Sequence, residues 1–424
     1  MNTSPIPFSL LPDNSSTDAD GALTIGGCSV VDLAREFGTP LFIYDEEHLR
    51  ARAREAVTAF GPGVAYASKA FLCQAMARLV HEEGMDIDVS TAGELHIAMA
   101  AGVPAKNLVF HGNNKSYAEL REALKAGIGR IVVDSFEELD RLERLHQEGW
   151  PIPNVLIRIT PGVEAHTHEF IATGRDDSKF GFTVSTGLAN QAIERALASR
   201  AVRVRGIHAH IGSQVFRVDS FARAAEVIAA VAQPYGLEEV SVGGGLGVPY
   251  VMGEDGATIT AWAGVVHDAL DAAGVTAKVL AEPGRSIAAS AAITIYTVGT
   301  IKPLEGIRTY VAVDGGMSDN PRPVLYGSGY ESFLPTRVGA ERDLTVRVVG
   351  KHCESGDVLV REGQVPSDIV VGDLLATPVT GAYGHSMGSN YNAVLRPPVV
   401  FAANGDARIV VRRETLDDLL VRDV

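Results

Sequence analysis

Cysteine is scarce in this 424-residue chain, with only Cys28, Cys73 and Cys353. An odd, widely spaced set argues against a disulfide framework and against a structural zinc site, and it fits a reducing compartment. Long apolar runs are missing too. No stretch of about 18 apolar residues occurs, so no membrane-spanning helix is expected. The N-terminus MNTSPIPFSLLPDNSSTDAD lacks the basic and apolar regions of a secretory signal. Basic runs are also lacking, and 37 basic residues face 52 acidic ones for a net charge of −15. That balance opposes binding to phosphate backbones or anionic membranes. What is present is ordinary globular composition, 46% hydrophobic and 21% charged. At roughly 100–200 residues per domain, the length suggests two or three domains. The expectation is a soluble, acidic, cytoplasmic protein.

Residues 1–20 read as a loose tail. ALTIGG (22–27) and PLFIYD (40–45) read as short strands flanking a helix at 29–37. A regular alternation follows. Short β-branched runs occur at VAYAS (64–68), DIDVS (86–90), LVFHG (108–112), RIVVDS (130–135), VLIRI (155–159), VRGIHAHIG (204–212), EVSVGGG (239–245) and KVLAEPG (278–284). Between most neighbours lie stretches of helical period, such as Leu72–Glu83, Ala118–Ala126 and Phe136–Gln147. Eight β/α units predict a closed (β/α)8 barrel with its site at the C-terminal strand ends; an open doubly wound sheet is the runner-up. The 160–185 connection reads as an inserted functional loop. After about residue 288 the pattern changes to alternating strands between Gly, Pro and Asp turns, an all-β domain. The expected division is 1–45, with strands joining the β domain, 46–288 for the barrel, and 289–424 for the C-terminal β domain.

The candidate chemistry sits where a barrel puts its site. Lys69, in YASKA, follows the first strand, where partial enclosure would lower its pKa and free an amine for a Schiff base; a surface lysine is the alternative. The glycines of GGGLG (243–247) let backbone N–H groups approach a phosphate, although such turns also arise for steric reasons alone. Glu282, in EPGR, needs a positive partner inside a barrel mouth, either a protonated pyridine nitrogen or simply Arg285. His208 and His210, in HAHIGS, face the same way by alternation. They could ligate a metal, for which no third ligand lies nearby in sequence, or stack on an aromatic cofactor, with Ser213 donating to a phosphate. In the β domain, Cys353 stands beside Glu354 and Asp357 in CESGD and could donate a proton; an inert core cysteine is the bland alternative. Tyr383, in GAYG, is another loop aromatic with a polar tip.

YASKA, HAHIGS, GGGLG, EPGR, CESGD and GAY occur in the order seen in the fold-type III pyridoxal-phosphate decarboxylases. HGNNKS (111–116), HTHEF (166–170), KFGF (179–182) and NPRPVLYG (320–327) bring the chain closer to the diaminopimelate decarboxylases than to ornithine or arginine decarboxylases. The resemblance runs from about Gly21 to the C-terminus. It implies an alanine-racemase-like barrel with a β domain, and a homodimer whose active sites are completed by the partner subunit. Pyridoxal 5′-phosphate is the implied cofactor. Lys69 would form its internal aldimine and His210 would stack on its ring. Ser213, Gly243, Gly244, Gly245, Gly284, Arg285 and Tyr383 would hold it, and Glu282 would pair with the pyridinium nitrogen. Arg285, Arg322, Tyr326, Glu354 and Tyr383 match substrate contacts, and Cys353 matches the proton donor. The implied reaction converts meso-2,6-diaminopimelate to L-lysine and CO2, with no metal. A decarboxylase of another basic or carrier-linked amino acid, or a non-catalytic pyridoxal-phosphate-binding protein, would keep many of these motifs.

Overall fold

The computed structural model describes residues 4–163 and 176–424. HTHEF (166–170) therefore lies outside the described residues, as does much of the 160–185 connection. The chain divides into two compact units, one of Arg52–Val248 and Gly256–Ser286, the other of Met1–Ala51, Pro249–Asp255 and Ile287–Val424.

The first unit is the barrel. Its strands are β1 (Ala65–Ala67), β2 (Asp86–Val89), β3 (Leu108–Phe110), β4 (Arg130–Val133), β5 (Asn154–Thr160), β6 (Arg203–Ala209), β7 (Glu239–Ser241) and β8 (Lys278–Leu280). Each pairs in parallel with the next. The open edges meet where the Ala65 and Ala67 N–H groups donate to the Ala281 and Pro283 carbonyls (2.9 and 3.1 Å). The eight expected runs are the eight strands, and this closure selects the barrel over the open sheet. Strands such as Ile131–Val133 are wholly buried because a barrel strand packs inward on other strands and outward on helices. Ala65, Val109, Val132, Leu156 and Leu280 form one cluster of that core. A short strand, Phe182–Thr183, pairs in parallel with the end of β5, so part of the 160–185 connection is ordered sheet.

The first four βα turns supply their own helix caps. Cys73, Thr91, Ser116 and Ser135 accept from the N3 backbone amides of helices Gln74–Glu82, Ala92–Ala100, Tyr117–Ala126 and Phe136–Gln147. Ser116 and Glu119 complete a reciprocal capping box. The first of these capped turns carries Lys69.

In the second unit the sheet runs Val358–Val365, Leu344–Val349, Arg308–Val313, Ala292–Leu304, Leu41–Asp45, Val399–Ala403, Asp406–Val411, with Leu374–Pro378 also paired to Ala292–Leu304. Leu41–Asp45 is buried along its whole length between Ala292–Leu304 and Val399–Ala403. Leu23–Ile25 instead sits in a separate sheet with Ser15–Thr17 and Cys28–Ser29. The N-terminal stretch differs from the loose tail expected. Leu10 and Leu11 are buried, and the Asn14 backbone and side-chain amides both donate to the Asp45 carboxylate (2.9 Å).

Candidate active site

The C-terminal ends of the barrel strands bring together residues far apart in sequence. Glu282, just past β8, is nearly buried. Its Oε2 lies 2.8 Å from His208 Nε2 on β6, and its Oε1 accepts from the Ser241 hydroxyl on β7 (2.9 Å). His111, just past β3, places Nε2 3.6 Å from Glu282 Oε1 and 3.4 Å from Asp88 Oδ1 on β2. Burial alone would push the Glu282 carboxyl up, but His208, His111 and the Ser241 hydrogen bond hold it well below the usual carboxylate range. Asp88 goes the other way: burial, and then the Glu282 charge, raise its carboxyl well above its ordinary value, against the pull of Lys69. The site thus carries one firmly anionic carboxylate and one inclined to hold a proton.

Arg285 is not the partner of Glu282. Its Nη2 donates to Ser213 Oγ (2.8 Å), so the simple acid–base pairing considered for EPGR is replaced by a guanidinium–hydroxyl pair. The loop carrying Ser213 is tied to the glycine turn by the Val215 N–H donating to Gly245 O (2.9 Å).

The turn itself needs glycine. A Cβ on Gly244 would fall 2.2 Å from the Glu282 carbonyl oxygen, and one on Gly245 (φ +116°) 2.1 Å from Gly212 O. Gly243 has φ +67°, and a Cβ there would meet Ala209 O at 2.4 Å. A Cβ on Gly284 would fall 2.9 Å from that of Ala67 on β1, so this glycine permits barrel closure.

His210 is half-buried, and the Gly244 N–H donates to its Nδ1 (3.1 Å). A backbone N–H can only donate, so Nδ1 carries no proton and any ring proton sits on Nε2. Burial, reinforced by the Lys69 and Arg158 charges, pushes this imidazole well below its ordinary pKa, which agrees with a neutral ring. His208 and His210 do share the barrel interior. The third metal-type ligand that sequence proximity lacked is supplied by the fold: His208, His111 and Glu282 place ligand atoms within 4.8 Å of one another. Here two of them satisfy each other through the His208–Glu282 hydrogen bond.

Lys69 lies on the tight turn Ser68–Ala70 after β1, a turn held by Tyr66 Oη donating to Phe71 O (2.8 Å). Its side chain is exposed rather than partly enclosed, so the expected desolvation is not met. Its charge nevertheless acts on Asp88, Glu94 and His210, which places it over the same strand ends.

The second unit holds the remaining candidates. Arg322 opens the short helix Arg322–Tyr326 and is buried, with its Nη1 donating to Tyr330 Oη (2.5 Å). Tyr326 closes that helix, half-buried. Tyr383 has φ +60°, and its phenol group acts electrostatically on Arg322. Cys353 and Glu354 are exposed, and Cys353 is a free thiol. Their loop is anchored from both sides, by Asp357 accepting from the His352 and Met317 amides (2.9 and 2.6 Å) and by Asn392 accepting from the Cys353 amide (3.0 Å).

Sequence reasoning did not single out Asp88, His111, Ser241 or Arg158, which the fold brings beside Glu282 and His210. The first three stand at strand ends, so the positional rule that pointed to Lys69 and Glu282 could have pointed to them too.

The family of pyridoxal-dependent decarboxylases, through its pyridoxal-binding domain, matches residues 46–289. A diaminopimelate decarboxylase of Mycobacterium tuberculosis is 47% identical, with 97% of each chain covered. One of Bacillus subtilis is 45% identical, with 98% of each covered. Among solved structures, the diaminopimelate decarboxylase of M. jannaschii in co-complex with L-lysine superposes with a TM-score of 0.89 at 33% identity, covering 97% of this chain and 98% of that one. On barrel, site and likeness together, the chain belongs to the diaminopimelate decarboxylases, within the pyridoxal-dependent decarboxylase family.

Proposed function

We propose that the chain removes CO2 from meso-2,6-diaminopimelate to give L-lysine, with pyridoxal 5′-phosphate held at the barrel's strand ends. The observation that carries this reading is a firmly anionic carboxylate, Glu282, fixed by His208 and Ser241 beside a turn that only glycine can form. The donor set fits the cofactor. A cationic ring nitrogen is matched by Glu282, and a phosphate by the Gly245 amide with Ser213 and Arg285, while Gly243 and Gly244, whose amides donate to Ser241 Oγ and His210 Nδ1, shape the turn. Gly284 keeps the turn beside Arg285 close to β1, and Tyr383 is the further residue assigned to hold the cofactor. When bound, pyridoxal phosphate supplies the electron sink that lets an α-amino acid lose CO2.

The protein's part is to bind, orient and move protons. Lys69 would offer its amine to the cofactor aldehyde. Glu282, anionic at neutral pH, would accept the hydrogen bond of a protonated ring nitrogen and favour that charge. His210, fixed by Gly244 with its acceptor nitrogen occupied, presents a neutral flat face. Cys353 Sγ would donate the proton that Cα requires once CO2 has left. Arg322, with Arg285, Tyr326 and Tyr383, takes the carboxylate of the unreacted amino acid end, and Glu354 takes its ammonium. A substrate lacking that end would leave Arg322 buried and unpaired, which penalises it strongly.

The working form proposed is a cytoplasmic homodimer, with Cys353 and Glu354 serving the barrel of a second copy. The exposure of both residues on an anchored loop supports this, and three free cysteines suit a reducing compartment. Incubating the protein with pyridoxal phosphate and meso-diaminopimelate should release L-lysine and CO2, and Cys353→Ala should keep cofactor but lose most turnover. Stronger CO2 release from ornithine or arginine than from diaminopimelate would overturn the substrate assignment.

A further inference from the structure

Among the described residues, Arg322 is a buried cation without an anion: no carboxylate pairs with it, and its Nε has no hydrogen-bond partner. Its surroundings are aromatic. The guanidinium carbon lies 4.0 Å from the centroid of the Tyr250 ring and 5.5 Å from that of Tyr330, and these two rings pack edge to face at 5.3 Å. A guanidinium seated face-down on a ring is stabilised by the ring's quadrupole, and its N–H donors are turned outward in one plane.

Tyr250 reaches Arg322 from outside the β-domain sequence. It lies in Pro249–Asp255, a piece of chain between β7 and β8 that packs with the second unit. Specific contacts hold this piece. Glu254 accepts from the Tyr250 and Val251 amides (2.8 and 3.4 Å), and Glu331 accepts from the Met252 amide (3.1 Å). Glu331 in turn pairs with buried Arg342 (2.9 Å), whose other nitrogen touches Met252 Sδ (2.9 Å). A Cβ on Gly329 would fall 2.9 Å from Val251 Cγ1, so the segment packs close against the loop that carries Tyr330.

We infer that Tyr250 is a specificity-determining positioning residue: its ring face seats Arg322, with the Tyr330 hydroxyl fixing one edge, so that the remaining donors meet a substrate carboxylate in plane. The inference rests on the assignment of Arg322 to the carboxylate of the unreacted amino acid end. A planar fork held by its face and one edge gives bidentate recognition at little ordering cost. A free Arg322 in the same place would supply charge without direction.

The test compares two ligands of the cofactor-loaded enzyme by calorimetry. L-lysine keeps a carboxylate at that end and cadaverine has none. Tyr250→Leu should weaken L-lysine binding about tenfold, the scale of one desolvated cation–π contact. It should leave cadaverine binding and pyridoxal phosphate content as in the wild type. The KM for meso-diaminopimelate should rise while kcat holds. Tyr250→Phe, which keeps the ring, should restore L-lysine affinity. In an Arg322→Met background, Tyr250→Leu should add no further loss, because the two act as one unit. Unchanged L-lysine affinity in Tyr250→Leu would overturn the inference, and parallel loss of both ligands and cofactor would reduce Tyr250 to a structural role. L-lysine binding that survives Arg322→Met intact would instead remove the assignment of Arg322 itself.

Discussion

His208 Nε2 stands 2.8 Å from Glu282 Oε2, and this contact joins β6 to the end of β8 over the intervening β7. It accounts for how a carboxylate can sit almost fully enclosed and still stay ionised. Desolvation disfavours the charge, and a ring N–H from one side with a hydroxyl from the other restores it.

Glu282→Gln tests that role. The amide is nearly isosteric but cannot stay anionic. The variant should fold and bind pyridoxal phosphate, with kcat for diaminopimelate lower by about 10²–10³-fold, the usual scale for one preorganised electrostatic contact. Steady-state kinetics at saturating cofactor reads this. Near-wild-type kcat would mean that Glu282 is structural.

Gly244→Ala tests the glycine turn. The added methyl would overlap the Glu282 carbonyl oxygen at 2.2 Å, contact with backbone that no side-chain rotation relieves. Cofactor affinity, followed by fluorescence titration of the apoprotein, should fall at least about tenfold, with a stability loss of about 1–3 kcal/mol. An alanine variant with unaltered affinity would show that the turn does not cradle the phosphate.

His111 gives the site a pH signature. Burial, with the charges of Arg158 and Lys115, holds its imidazole well below its ordinary value even against the Glu282 carboxylate. The folded protein therefore keeps His111 neutral while the unfolded chain titrates near about 6.5. Below that pH the unfolded state binds the extra proton. The contribution of His111 is thus complete above about 6.5 and is lost as pH falls, by up to about 1.4 kcal/mol per pH unit. Urea midpoints between pH 7 and pH 5 should fall less steeply in His111→Asn than in the wild type. Equal slopes would show that His111 titrates freely in the folded barrel.

Much of this architecture was legible in the sequence because barrel strands are short, β-branched and evenly spaced by amphipathic helices. Lys69, His210, Glu282 and the glycine turn were expected at the strand ends by the barrel rule, and the structure sets them there. What escaped depends on contacts between remote parts of the chain. Leu374–Pro378 and Val399–Ala403 form strands because Ala292–Leu304 and Leu41–Asp45 offer them edges, not through their own alternation. The N-terminal residues looked like a polar tail because their partner, Asp45, lies 31 positions from Asn14. His111 joined the site only once β3 was set opposite β6 and β8. Tyr250 was opaque because its segment interrupts the barrel sequence yet packs with the other unit.

The central claim is that the amine after β1 is the one that takes the cofactor. Borohydride reduction of the protein loaded with pyridoxal phosphate, followed by peptide mass mapping, reads this directly. The account predicts a single stoichiometric pyridoxyl adduct on Lys69, absent from Lys69→Ala. Lys115 should stay unmodified, since its amine is buried against Glu138 at 2.7 Å. An adduct on another lysine, or stoichiometric labelling that persists in Lys69→Ala, would contradict it.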